Sequence, residues 1–312
     1  MNCKYALAVA ESDATAIAEY DGMPAAALAK KLGTIGSTVI KDHRRGECVC
    51  GKQVAPKLVP KARKAVRILT LDIENAPNLA HVWSLFNQNV SLAQLQEVAT
   101  VISVAAKWYD SKEVLFYSDH HNGHANMIQA IHGLVSEADL IVGYNSAGFD
   151  MKHLNREFIL AGLNPPAPYK NVDLLQTVRK QFKFASGKLD HVAQQLGLGA
   201  KTQHTGHELW VRCMQGDNEA WDTMRKYNKQ DVVLTEKLYD RLRAWIPNHP
   251  HISMWTGEEW GCPVCGNKDL STFRDGTAYT NVQRYRRYQC PCGHWVRGNR
   301  KLQDATQTRS AR

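Results

Sequence analysis

The run Ile68-Leu69-Thr70-Leu71-Asp72-Ile73-Glu74 constrains this chain more than any other stretch. It reads as an apolar β-strand that ends by presenting two acids. Along a strand, residues i and i+2 share a face, so Asp72 and Glu74 point the same way. Two carboxylates on one face of a buried strand repel each other unless a cation lies between them, and hard oxygen ligands favour Mg²⁺ or Mn²⁺. The plainer alternative is a strand end whose acids face water, and an Asp-x-Glu pair alone does not separate the two.

The rest of the chain sets the context. At 312 residues it exceeds the usual single-domain size, which implies two or three units. No apolar run approaches the ~18 to 20 residues of a membrane span, and Ala6 to Ala10 is cut short by Glu11, so neither a membrane partner nor a signal peptide is expected and the protein is read as cytoplasmic. Of the eight cysteines, six fall in close pairs, better read as thiols or metal ligands than as disulfides in that compartment. The net charge of +9 is unevenly placed. Residues 41–67 carry nine Lys/Arg against two acids, residues 274–312 also nine against two, and residues 68–273 eighteen against twenty-two. An acidic core between polycationic flanks suits an enzyme acting on a polyphosphate chain, although either flank alone reads as a solvated tail or linker.

Between Pro24 and Arg44 the pattern predicts a helical hairpin. Leu28, Ala29 and Leu32 line one face, Gly33 sits where the turn needs positive φ, and Ser37 can cap a second helix that turns Val39 and Ile40 inward. The spacing is similar to that of helix-turn-helix proteins, with Thr38, Lys41, His43 and Arg44 on the outer side; a short packing hairpin is the alternative. Cys48 and Cys50 follow, an incomplete zinc set even with Cys3 and His43. The divisions expected are a helical domain over 1–50, a basic linker over 51–65, an α/β domain over 66–247, a metal-knuckle domain over 255–300 and a tail over 301–312.

From Val66 the chain alternates as a mixed α/β sheet with helices on both faces should. Strands are expected near 66–72, 99–107, 112–117, 139–143 and 171–175, and helices near 124–136, 151–161, 189–196, 207–214 and 218–244. Three early strands without intervening helices imply an antiparallel meander joined to parallel strands. Two further elements carry chemistry. Gly143-Tyr144-Asn145-Ser146-Ala147-Gly148-Phe149-Asp150 leaves an apolar strand and enters a helix, the crossing that lines ligand sites in such sheets, although a carboxylate there is also a common cap. In the long helix, Tyr227 and Asp231 share a face with Leu234 and Leu238, and an acid on a core-facing stripe is costly unless paired or coordinated. The histidines at 120, 121 and 124 surround Asn122-Gly123 and are read as surface residues of a polar loop.

Taken in order, Asp72-x-Glu74, Asn145 to Phe149-Asp150, and Tyr227-x-x-x-Asp231 resemble the three motifs of the DEDD superfamily of ribonuclease H-like 3′→5′ exonucleases, in its Tyr-bearing subclass. The phrases LTLDIE, GYNSAGFDMKHL and YNKQDVVLTEKLY look most like the proofreading domain of family B DNA polymerases, over roughly Val66 to Ile246. The resemblance implies a ribonuclease H-like fold, two divalent ions held by Asp72, Glu74, Asp150 and Asp231, and Tyr227 orienting the attacking water. It also implies Asn145 and Phe149 beside the terminal nucleotide, and DNA with a single-stranded 3′ end as substrate. After Ile246, 66 residues remain, too few for a polymerase palm and fingers, so a stand-alone nuclease or a proofreading subunit for a separate polymerase or replication protein is expected. An RNA-directed nuclease on the same fold and a non-catalytic DNA-binding or transcription module remain as alternatives.

The C-terminal appendage carries Cys262-x-x-Cys265-Gly266 and Cys290-x-Cys292-Gly293-His294. Paired thiols on two knuckles, each followed by glycine, suit structural Zn²⁺, and the segment over 255–300 looks like a zinc ribbon, with His294 able to replace a thiol because the second pair is unusually close. Between the knuckles, Arg284, Arg286 and Arg287 interleave with Tyr285 and Tyr288, a pattern that either grips single-stranded nucleic acid or packs a small sheet under solvated arginines.

Overall fold

A computed structural model describes residues 23–33, 36–44, 65–201, 205–258, 260–269 and 274–302. Cys3, Cys48, Cys50, most of the basic 51–65 stretch, and the side chains of His43 and Arg44 lie outside them. The chain divides into two compact units, Met1–Ala62 and Arg63–Arg312. In the first, helices α1 (Ala25–Leu32) and α2 (Ser37–Arg44) form a hairpin. Gly33 closes α1 in the left-handed region at φ 66°, its N–H bonded to the Ala29 carbonyl, and Leu28 and Ile40 are fully buried.

The second unit is built on a five-stranded sheet. Strand β1 (Ile68–Asn75) is followed by a short hairpin, β2 (Leu79–Ala80) with β3 (Leu95–Glu97), and then by β4 (Val101–Trp108) and β5 (Leu115–Ser118). Strands β6 (Leu140–Gly143) and β7 (Lys170–Asp173) complete the sheet in the order β5-β4-β1-β6-β7. The β1–β4 and β4–β5 pairs are antiparallel, whereas β1–β6 and β6–β7 are parallel. This is the expected meander grafted onto parallel strands. The reason lies in the connections: β4 and β5 follow β1 with no crossover helix, while β6 and β7 are each reached through one.

One face of the sheet buries Leu69, Leu71 and Ile73 against Met127, Ile128 and Ile131 of α4 (His124–Glu137) and Leu154 and Phe158 of α5 (Asp150–Leu160). The other buries Leu140, Val142 and Val172 against α6 (Leu174–Gln181), α7 (Leu189–Gln195) and α9 (Asn218–Leu242), with α8 (His207–Met214) packed on α9. Alternation along β1 therefore turns Asp72 and Glu74 towards α9. Helix α6 departs from the expected strand over 171–175. Asp173 ends β7 and caps the helix by accepting from the Leu175 N–H at 3.0 Å, so the chain leaves the sheet two residues early.

The histidines after β5 are exposed, but they sit on and beside the one-turn helix α3 (Asp119–Asn122) rather than in a loop. His120 stacks on Trp221 at 5.4 Å, and His121 meets Ser118 at 2.7 Å and Arg225, anchoring that turn on α9.

Beyond α9, a second sheet has strands β8 (Arg274–Tyr279), β9 (Arg284–Gln289) and β10 (Trp295–Lys301) in the antiparallel order β10-β9-β8. Polar contacts hold the connection near the end of α9: His249 Nε2 of the linking segment meets the Tyr239 hydroxyl at 2.7 Å, and His294 Nδ1, just before β10, donates at 3.0 Å to the carbonyl of Ala244 in the turn after α9. No helix among the described residues is long and apolar enough to cross a membrane.

Candidate active site

The sheet delivers two acids, a crossing loop a third, and α9 a fourth. Carboxylate oxygens of Asp72, Glu74 and Asp231 lie within 4.8 Å of one another, close enough to share one ion. Asp150 is outside that trio. It is the first residue of α5 and not its cap, which is Phe149, and its Oδ1 accepts the Ile73 N–H at 3.2 Å, between the two acids of β1. Asp231 is fully buried and Asp150 nearly so.

Their mutual electrostatics follow from this crowding. Burial raises Asp72 well above the usual carboxylate range, and the charges of Glu74, Asp150 and Asp231 raise it further. Burial likewise carries Glu74 to about 8, with Asp231 adding to the rise, and Asp150 to about 7 against the stabilising Ile73 N–H. Four acids that destabilise one another's charge call for positive charge at this point, and their all-oxygen donor set suits a hard divalent cation.

Lys201 supplies part of that charge. Its ammonium bonds to Asp231, meets the Tyr227 hydroxyl at 3.2 Å and lies 5.2 Å from that ring's centroid. Burial opposes its charge, yet Asp231 and Tyr227 hold it above the ordinary lysine range. Sequence reasoning passed over this residue. Its only signal was a lysine closing the glycine-rich Gly197-Leu198-Gly199-Ala200, with nothing to link it to a helix thirty positions on. Asn228 was also missed, although it falls on the buried stripe of α9 together with Met224, Tyr227 and Asp231. It donates to Asp72 Oδ2 at 2.7 Å and accepts from the Ser103 hydroxyl at 3.2 Å, fixing the orientation of the first acid.

The Tyr227 phenol is pushed up by burial and by the negative Glu74 and Asp231, so it is neutral and a donor at ordinary pH. Asn145 lies in the crossing loop at φ 68°, its N–H bonded to Asp173 Oδ1 at 2.9 Å. Asp173 is thus the anchor of that loop. Gly143 is required by close approach, since a Cβ there would lie 2.6 Å from that of Ser146. Phe149 is 40% exposed next to Asp150 and packs on His153, with ring centroids 4.5 Å apart.

The four thiols of Cys262, Cys265, Cys290 and Cys292 form a second group whose sulfurs lie within 4.8 Å of one another. Gly266 and Gly293 turn after each knuckle at φ 71° and 91°. His294 is turned to Ala244 through Nδ1. Of the three arginines between the two thiol pairs, alternation along β9 places Arg284 and Arg286 on one face of the small sheet and Arg287 on the other.

A five-stranded mixed sheet flanked by helices, with acids converging from its central strand, a crossing loop and a covering helix, is a ribonuclease H-like fold. Residues 91–243 match the family model described as the RNase_H superfamily. Among solved structures the chain is similar to the family B DNA polymerase of the hyperthermophilic archaeon Pyrobaculum calidifontis, at 22% identity and a TM-score of 0.44; the match covers 57% of this chain and 25% of the polymerase chain. A comparison with curated proteins finds no match.

Proposed function

We propose that this protein is a metal-dependent 3′→5′ exonuclease that hydrolyses phosphodiester bonds of DNA from single-stranded 3′ ends, alone or as a proofreading subunit for a separate polymerase. The observation that carries this reading is the meeting of Asp72, Glu74 and Asp231, acids drawn from strand and helix 157 positions apart, beside the phenol of Tyr227. Two divalent ions, Mg²⁺ or Mn²⁺, would be held by these three acids and Asp150, and would supply Lewis acidity towards water and the departing 3′ oxygen.

The chain's own groups do the rest. The neutral Tyr227 hydroxyl orients water for in-line attack, a role suited to a phenol whose pKa is raised rather than lowered. Asn228 holds Asp72 in one rotamer through its 2.7 Å bond. Lys201 pairs with Asp231 in the metal-free protein, and with ions held by the acids its ammonium would be available to the substrate phosphate. Asn145 and the exposed face of Phe149 hold the terminal nucleotide, while Arg284, Arg286 and Arg287 contact the strand at a distance from the chemistry.

Zn²⁺ is proposed for the four thiols. Tetrahedral Zn–S bonds of ~2.3 Å place sulfurs ~3.8 Å apart. The Cys262–Cys292 and Cys265–Cys290 separations are 3.7 and 3.5 Å, as such a site requires and far longer than a disulfide. The exposed Thr38 and Lys41 of α2 are proposed as a further DNA contact.

The test is digestion of single-stranded DNA labelled at either end, with RNA of the same sequence in parallel. With Mg²⁺ or Mn²⁺, 5′-labelled strands should shorten stepwise and 3′-labelled strands should release mononucleotide, and Asp231→Ala should abolish both. Shortening from the 5′ end, or full activity in Asp231→Ala, overturns the reading; preference for the RNA strand reassigns the substrate.

A further inference from the structure

The two faces of the β8–β9–β10 sheet differ. On one, Arg286, Tyr288 and Val296 look across a groove of about 640 Å³ towards His251, Trp260 and Pro263, and Trp295 and Arg297 of β10 border the same groove. On the other, the register brings Tyr285 and Arg287 of β9 beside Trp295 and Arg297 of β10. The Arg287 guanidinium lies 4.3 Å from the centroid of the Trp295 ring, and that of Arg297 lies 4.5 Å from the Tyr285 ring. Both are diagonal neighbours across the same pair of strands, so cation and ring alternate over the surface.

The third strand keeps this surface low. Gly276 and Ala278 stand opposite Arg287 and Tyr285. A Cβ at Gly276 would come within 3.3 Å of Arg287 Nε and Nη2, so the guanidinium lies across the strand where any larger residue would displace it. Trp295 remains 44% exposed and Arg297 is exposed. The stretch is basic: residues 276–302 contain six Lys/Arg and no Asp or Glu.

We propose that this face binds single-stranded nucleic acid, with bases stacking on Trp295 and Tyr285 and phosphates meeting Arg287 and Arg297. Guanidiniums alone would accept any polyanion, and exposed rings alone would suit an apolar partner. Alternation of the two on this basic face matches a strand whose charges and unpaired bases alternate in the same way, and a duplex keeps its base faces within its own stack. The site uses none of the carboxylate-cluster residues; it rests on the nuclease reading only in taking a polynucleotide as the ligand. It also separates the three arginines of β9, giving Arg287 a stacking and phosphate role on this face, apart from the contact proposed for Arg284 and Arg286 on the opposite one.

The experiment is fluorescence anisotropy with the full chain carrying Asp231→Asn, zinc-loaded and without added Mg²⁺ or Mn²⁺, so that the strand survives. The probes are labelled oligothymidylate and a duplex of equal length. Trp295→Ala and Tyr285→Ala should each weaken single-strand binding about tenfold and duplex binding far less. Arg297→Gln should lower the salt dependence by about one phosphate contact. Zinc content and melting temperature report folding. Should Trp295→Ala lose zinc, Trp295→Phe, which keeps a ring, should retain the affinity, and photo-crosslinking of a 4-thiothymidine strand to the parent chain should map to Trp295 or Tyr285. Unchanged single-strand affinity in the zinc-loaded alanine variants, equal losses for duplex and single strand, or crosslinks confined elsewhere overturn the proposal. Hydrolysis of a small nitrophenyl ester of thymidine monophosphate by the chain with Asp231 intact reads the carboxylate pocket separately. Its failure would count against the nuclease reading and leave the binding result standing.

Discussion

Lys201 reaches across from the end of a glycine-rich turn to the buried carboxylate of Asp231, an ion pair between residues thirty positions apart. Its backbone is held in turn by the 2.8 Å bond from its N–H to Asp190. An ammonium in the midst of Asp72, Glu74 and Asp231 does part of the work of a divalent ion, and the two compete for one place. Lys201→Met should therefore destabilise the metal-free protein by about 3 kcal/mol, the low end for removing one partner of a buried pair because Lys201 is itself 30% exposed. Saturating Mn²⁺ should recover most of that loss, and Mn²⁺ should bind more tightly than to wild type. Thermal melts with and without Mn²⁺ check this; equal destabilisation in both conditions would mean that Lys201 and the ion do not compete.

Acidity should act on the metal-free cluster in a defined direction. Glu74 is raised from an ordinary 4.5 to about 8 and Asp150 from 3.8 to about 7. Between the unfolded and folded values the native state binds more protons than the unfolded chain, so stability is fully present below the unfolded values and falls as pH rises towards 8. Melting temperature measured without divalent ions should decline from pH 5 to pH 8 on the order of the window these shifts define. The increment on adding Mn²⁺ should grow over the same range, since ions bind the deprotonated acids.

Tyr227→Phe removes only a hydroxyl from a buried ring. Turnover should fall about a hundredfold, the low end for a positioned proton-handling group, with Mn²⁺ affinity unchanged. Because the phenol is pushed up by burial and its acidic neighbours, no limb of the wild-type pH–rate profile near neutrality should belong to it. A limb that disappears in the phenylalanine variant would assign Tyr227 as a base instead.

Removing zinc should separate the two halves of the second unit. The ribbon core consists of Cys262, Val264 and Cys290 with a few half-buried neighbours, too small to hold three strands without a metal. The five-stranded sheet has its own extensive cores on both faces. Cys262→Ser should lower bound zinc from one equivalent per chain and abolish single-strand binding by the ribbon. Cleavage of a small phosphodiester should persist, as elemental analysis and a chromogenic assay would show.

Much of this site was legible in the sequence, for identifiable reasons. Period-two alternation placed Asp72 and Glu74 on one face, and helical spacing placed Tyr227 with Asp231, because both rules are local. Asn228 obeys the same helical rule and was overlooked for want of a charge. Lys201 was not legible, since its partner is fixed only when the turn after α7 folds back over α9. Helix α6 was hidden because Asp173 closes a strand and starts a helix in the same residue. The placing of Arg287 beside Trp295 and of Arg297 beside Tyr285 needed the β9–β10 register, which the sequence between the knuckles does not specify.

The most direct measurement is Mn²⁺ binding to the zinc-loaded protein, counted by electron paramagnetic resonance of the free ion. Wild type should take up two ions, Asp231→Asn and Asp72→Asn should each lose them, and Asp173→Asn, whose carboxylate anchors the crossing loop and caps α6, should keep them. Uptake that is absent in wild type, or undiminished when Asp231 is replaced, would contradict a metal centre formed by acids from β1, the crossing loop and α9.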